Sequence, residues 1–120
     1  MSQALNAYQR TAKQGISGRE LEATLLMQSA AQLQRAQTTI PDSRVEIEQA
    51  LEYNRRLWTI LATSVIAEDN PIPMEIKQNV VNLTAYVMKR SVQIIAKPTP
   101  AAIEQLVSIN TEIAAGLRGR

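Results

Sequence analysis

The chain has no cysteine, no histidine and no phenylalanine, and its 120 residues hold one tryptophan and three tyrosines. Without cysteine there is no disulfide, no thiolate nucleophile and no sulfur ligand for a metal. Without histidine, the commonest metal ligand and the one side chain that ordinarily titrates near neutrality are missing as well. A cysteine-free chain is consistent with a reducing compartment, and a cytoplasmic location is expected. No apolar run reaches the roughly 20 residues that span a bilayer, so no membrane association is expected. Met1-Ser2-Gln3-Ala4-Leu5-Asn6 has no charged stretch followed by an apolar one, so no secretory signal is expected either. There is no glycine-rich phosphate loop, no cluster of metal ligands and no nucleophile–base pair. The carboxylates Glu20/Glu22 and Glu46/Glu48 stand two apart and point to different sides of a helix. A non-enzymatic protein without a cofactor is therefore the expectation.

What remains is alanine, leucine, isoleucine, valine and methionine, the makings of a helix-on-helix core. The length suits one domain over residues 1–120. Thirteen basic and eleven acidic residues leave a net charge of +2. A nucleic-acid surface calls for a longer basic stripe with stacking aromatics, which the adjacent Arg55 and Arg56 alone do not make. Those arginines either pair with acids in the same chain or mark the polar rim of a partner site.

The breaks divide the chain into helices. A short one is predicted over 2–14, carrying Leu5 and Tyr8 and stopped by Gly15. Ser17 with Glu20 reads as a capping box opening a second helix to about Thr38, with a seam of Ala23, Leu26, Ala30 and Leu33. Ser43 with Glu46 repeats the signal after Pro41 and opens a third helix over about 44–68. On it Ile47, Leu51, Asn54, Trp58, Leu61 and Val65 alternate spacings of four and three, one face of a bundle-forming helix. Glu52 and Arg56 are placed for an i,i+4 ion pair. Pro73 suits the first position of a fourth helix over about 73–96. Thr99 and Pro100 suit the N-cap and first turn of a fifth, seamed by Ile103, Leu106, Asn110, Ile113 and Leu117. The expected fold is thus all-α, four main helices plus a short N-terminal one.

Two features bear on function. Asn54 and Asn110 occupy seam positions, where asparagine either fixes helix register from inside or faces a groove and bonds a partner. The fourth predicted helix is apolar on two faces: Ile76, Val80, Leu83 and Val87 on one, Val81, Met88, Val92 and Ile95 on the other. A helix apolar on two faces is either central in a bundle or has one face waiting for a partner. Asn54, Arg55, Arg56, Val81, Met88, Val92, Ile95 and Asn110 are accordingly the candidate partner-binding residues.

Four stretches together resemble the FlaF family of flagellar biosynthesis regulators. They are Ser17-Gly18-Arg19-Glu20-Leu21-Glu22, Tyr53-Asn54-Arg55-Arg56-Leu57-Trp58-Thr59-Ile60-Leu61, Asn70-Pro71-Ile72-Pro73 and Ile109-Asn110-Thr111-Glu112-Ile113-Ala114-Ala115-Gly116-Leu117. The resemblance implies a small cytoplasmic protein needed for flagellin production and export, with flagellin as partner. Its role would be similar to that of flagellin export chaperones. The alternative it implies is translational regulation of flagellin messenger RNA, through RNA or through the FlbT regulator.

Overall fold

In the computed structural model, residues 18–38 and 44–119 are described. They form four helices: α1 (Arg19–Gln37), α2 (Arg44–Val65), α3 (Met74–Ala96) and α4 (Pro100–Leu117). The expected short helix over 2–14 lies outside the described residues, as do Ser17 and Ser43. Among the described residues there is no strand.

Contacts between helix ends set the direction of each neighbour. Ser64, near the end of α2, donates to Glu22 at the start of α1 over 3.0 Å. Arg44, opening α2, donates to the Ile95 carbonyl near the end of α3 over 2.6 Å. Arg118, following α4, pairs with Glu20 at 2.8 Å and donates to Thr24 at 3.2 Å. Each neighbouring pair is therefore antiparallel, and the whole is an up-down-up-down bundle. Packing is most extensive between α1 and α4, where Ala23, Ala30 and Ala114 are buried and small enough for close approach. Among the neighbouring pairs it is least extensive between α3 and α4.

The seams expected for α1, α2 and α4 are buried along their length. Trp58 is fully buried at the centre, flanked by Leu57, Leu61 and Leu51. Burying a side chain of this size stabilises the fold by about 1.5–3 kcal/mol or more.

Helix ends follow local chemistry. Thr99 caps α4 by accepting from the Ala102 amide at 3.2 Å, and Pro100 fills the first helical position, whose amide needs no partner. Pro73 instead stands one residue earlier than expected, as the N-cap of α3, its carbonyl accepting from Ile76 and Lys77. Gly18 is the N-cap of α1 and makes no side-chain cap. The C-terminal stop is Gly119, whose φ of 77° is strained for residues with a side chain. The α2 helix stops at Val65, three residues short of expectation. Asn70 explains this: its Nδ2 donates to the Ser64 carbonyl and its Oδ1 accepts from the Ile72 amide, both at 3.0 Å, so the turn captures what another helical turn would need. Lys77 takes the Ala67 carbonyl at 3.0 Å, Arg19 reaches Pro71 at 3.1 Å, and Ile72 is buried. The expected Glu52–Arg56 pair does not form; the ion pairs among the described residues are Arg44–Glu48 and Glu20–Arg118.

Candidate functional site

Asn54 and Asn110 are both 0 % exposed. The groove-facing role is corrected for both: they meet each other inside the bundle, where a partner cannot reach them. Trp58 Nε1 donates to Asn110 Oδ1 at 2.9 Å. Asn110 Nδ2 donates to Asn54 Oδ1 at 2.8 Å and to the Leu26 carbonyl at 3.2 Å. Ser29 Oγ donates to Asn54 Oδ1 at 2.8 Å. The chain of bonds ties α1, α2 and α4 together across the core.

The orientation of both amides follows from what their neighbours can do. An indole N–H only donates and a backbone carbonyl only accepts, so Asn110 must turn its oxygen to Trp58 and its nitrogen to Leu26. That nitrogen then fixes Asn54 with its oxygen inward. Asn54 Nδ2 is left buried with no hydrogen-bond partner among the described residues. A buried unsatisfied amide costs about 1–3 kcal/mol. The asparagines specify which helix faces meet and at what level, since a slip of either helix strands the indole N–H and both amides.

The remaining candidates are on the surface. Arg56 is exposed and Arg55 half-buried, and neither is in an ion pair among the described residues. Of the second apolar face of α3, Val92 is 60 % and Val81 42 % exposed, while Met88 and Ile95 are half-buried against the core. Arg55 and Ile95 share a depression of about 810 Å³ with Val45, Glu48, Glu52 and Tyr53. Burial pushes the Tyr53 phenol above its ordinary pKa of 10.0. The other α3 face divides: Val80 and Val87 are buried, Ile76 and Leu83 partly so.

Sequence reasoning missed the groove between α3 and α4. It has a volume of about 450 Å³ and is lined by Leu83 and Tyr86 of α3 and by Ala101, Glu104, Gln105, Ser108 and Ile109 of α4. Gln105 Oε1 accepts from Arg90 at 3.1 Å and from the Tyr86 hydroxyl at 3.3 Å. Near the start of α3, a Cβ added at Gly116 would come within 3.9 Å of Ile76, whereas beside Leu83 and Tyr86 the helices leave the groove and are bridged by the bonds to Gln105. A reading of α4 outside its seam would have found the signal: Ala101 and Ser108 are small and exposed opposite the seam, and Ile109 is apolar and half-buried at its flank.

Among the described residues no group of acidic side chains could hold a metal ion, and no helix is long and apolar enough to cross a membrane. The chain matches no curated protein and no solved structure. It does match the family described as Flagellar protein FlaF over residues 4–117, nearly its whole length. The Asn54–Trp58 and Asn110 motifs that suggested this family are the ones joined in the core, and the chain belongs to the FlaF family of flagellar proteins.

Proposed function

We propose that this flagellar protein is a non-enzymatic flagellin-binding chaperone and regulator that supports flagellin synthesis and export. The observation carrying this reading is the apolar groove between α3 and α4, in the least closed seam of the bundle. An amphipathic helix laid in such a groove buries its apolar stripe against Leu83, Tyr86 and Ile109. A nascent flagellin segment held this way cannot pair with another flagellin. The net charge of +2 and the absence of a basic stripe favour a protein partner over RNA. Contact with the FlbT regulator would use the same kind of surface.

The test is calorimetry with purified flagellin at several temperatures and two salt concentrations. Binding at about one to one, a negative heat-capacity change and weak salt dependence are expected. Absence of heat and of co-elution at high micromolar concentration rules the reading out. Binding lost between low and moderate salt would point instead to RNA.

A further inference from the structure

The two helices that flank the α3–α4 groove carry opposite charge beside it. On α3, Lys89 and Arg90 stand three and four residues from the groove-lining Tyr86, so all three share one side of the helix. On α4, Glu104 and Glu112 stand four residues either side of the groove-lining Ser108. Lys89, Glu104 and Glu112 are exposed. Arg90 spends its donors on the neutral amide oxygens of Gln105 and Gln93, at 3.1 and 3.0 Å. No ion pair among the described residues engages any of the four. Of these four, Glu104 lines the groove and Arg90 reaches its α4 side through Gln105, while Lys89 and Glu112 stand on their helices beyond the lining. The groove thus has an apolar floor, with bases outside any ion pair beside its α3 rim and acids outside any ion pair along its α4 rim.

We infer that this groove takes an amphipathic helix with acids along one flank and bases along the other, and that the charge split sets the direction in which the helix lies. The inference rests on the groove being the partner site proposed above, and it adds the partner's charge pattern. The apolar stripe alone cannot choose a direction, because a helix turned end for end presents the same stripe. Turning it exchanges its flanks, however, and brings acids against Glu104 and Glu112 and bases against Arg90. Like charges facing each other at the rim disfavour that arrangement. Complementary walls also leave the whole interface close to neutral, in keeping with binding that depends weakly on salt.

The absence of cysteine makes direction measurable. Two helical peptides of about four turns share one apolar stripe, the first with acids on one flank and bases on the other, the second with the flanks exchanged. Each carries a single N-terminal cysteine. They are presented to the full chain bearing either Ala101→Cys, at one end of the groove, or Asn79→Cys, toward the other; both positions are exposed. The expected result is about a tenfold preference of each peptide for one end, the two peptides choosing opposite ends. Reversing the walls with Arg90→Glu, Glu104→Lys and Glu112→Lys together should exchange the ends. Equal crosslinking to both ends, the same end for both peptides, or no crosslinking would overturn the inference. Rapid crosslinking between copies of the Ala101→Cys chain that excludes the peptides would overturn it in favour of self-association. Flagellin binding by the unaltered chain is measured alongside. Directional peptide docking without flagellin binding removes the flagellin reading and leaves this one standing, and flagellin binding without directional docking does the reverse.

Discussion

The two central helices are nearly equal in length and very unequal in how they are held. Nine of the 22 residues of α2 are buried, against four of the 23 in α3. The buried set of α2 includes Trp58, Tyr53 and four leucine or isoleucine side chains, while that of α3 is Val80, Val87, Ser91 and Ile94. Ser91 spends its hydroxyl on the Val87 carbonyl of its own helix and ties nothing to a neighbour. The polar network joins α1, α2 and α4 and leaves α3 out. One part of the bundle is thus specified by shape and buried hydrogen bonds together, and the other is attached by a narrow apolar strip and by bonds at its exposed or half-buried margins. The groove falls at the edge of the second part, where a partner can supply the burial that the chain itself does not.

The largest effects should come from α2. Trp58→Ala is expected to cost about 3–5 kcal/mol from lost burial and the cavity it leaves. A domain of this size has only about 5–15 kcal/mol in total, so denaturant melts should show the variant near unfolding. Trp58→Phe separates the two roles of the indole. It keeps most of the apolar fill and leaves Asn110 Oδ1 without its donor, an expected loss of about 1–3 kcal/mol. Native Trp58 emission should be blue-shifted; a red, readily quenched emission would contradict its burial.

The two asparagines should differ, although both are fully buried. Asn110 bonds Trp58, Asn54 and the Leu26 carbonyl, so Asn110→Leu strands the indole N–H and should cost about 1–3 kcal/mol by chemical denaturation. Asn54→Leu removes an amide that already has an unsatisfied Nδ2. Its loss should be smaller, and its effect should appear as looser core packing, read as reduced dispersion of side-chain resonances. Equal destabilisation by the two variants would refute the network as described.

The seams of α1, α2 and α4 were legible because alternating three- and four-residue spacing reports directly which face is buried. Trp58 in the core was legible for the same reason, and Thr99–Pro100 because a cap and a fixed φ act within one turn. The turn at Asn70 was legible as a stop but not in its position, since a capping pattern does not show that Asn70 reaches six residues back to the Ser64 carbonyl while holding the Ile72 amide. Asn54 and Asn110 could not be assigned from spacing alone. Whether a seam asparagine faces a groove or another amide depends on the helix opposite. The α3–α4 groove was hidden because it is a property of two helices and the gap between them. Two apolar faces on α3 pointed to the outer stripe of Val81, Met88, Val92 and Ile95, whereas the groove is lined by Tyr86, which belongs to neither face, and by Ile109 of another helix.

A smaller effect concerns pH at Tyr53, in the middle of α2. Burial disfavours the charged phenolate of Tyr53, so the folded protein holds this proton to higher pH than the unfolded chain does. Below the unfolded value of about 10 both states are protonated and the group is silent. Above it the unfolded chain loses the proton first, and stability falls as pH rises toward the folded value. Comparing the native chain with Tyr53→Phe between pH 9 and 11, roughly spanning the unfolded tyrosine value, isolates this from the lysines, which titrate in both. The native chain should lose stability more steeply; parallel curves would count against a buried phenol.

The smallest expected effect on stability is also the one that tests which side of α3 matters. Val92 is 60 % exposed and lies away from the groove-lining Leu83 and Tyr86. Val92→Glu removes little burial, and a surface change away from caps and networks usually stays within about 0.5 kcal/mol. Ile109→Asp, on the α4 wall of the groove, alters a half-buried position and should cost somewhat more while leaving the fold intact by circular dichroism. The two variants part on flagellin binding. Ile109→Asp places an unpaired charge on the floor where the apolar stripe is to dock and should weaken binding by about tenfold or more, near 1.4 kcal/mol. Val92→Glu should leave it unchanged. The opposite pattern, with binding lost in Val92→Glu and kept in Ile109→Asp, would move the partner to the outer stripe of Val81, Met88, Val92 and Ile95. The groove would then be only the seam where α3 is least firmly held.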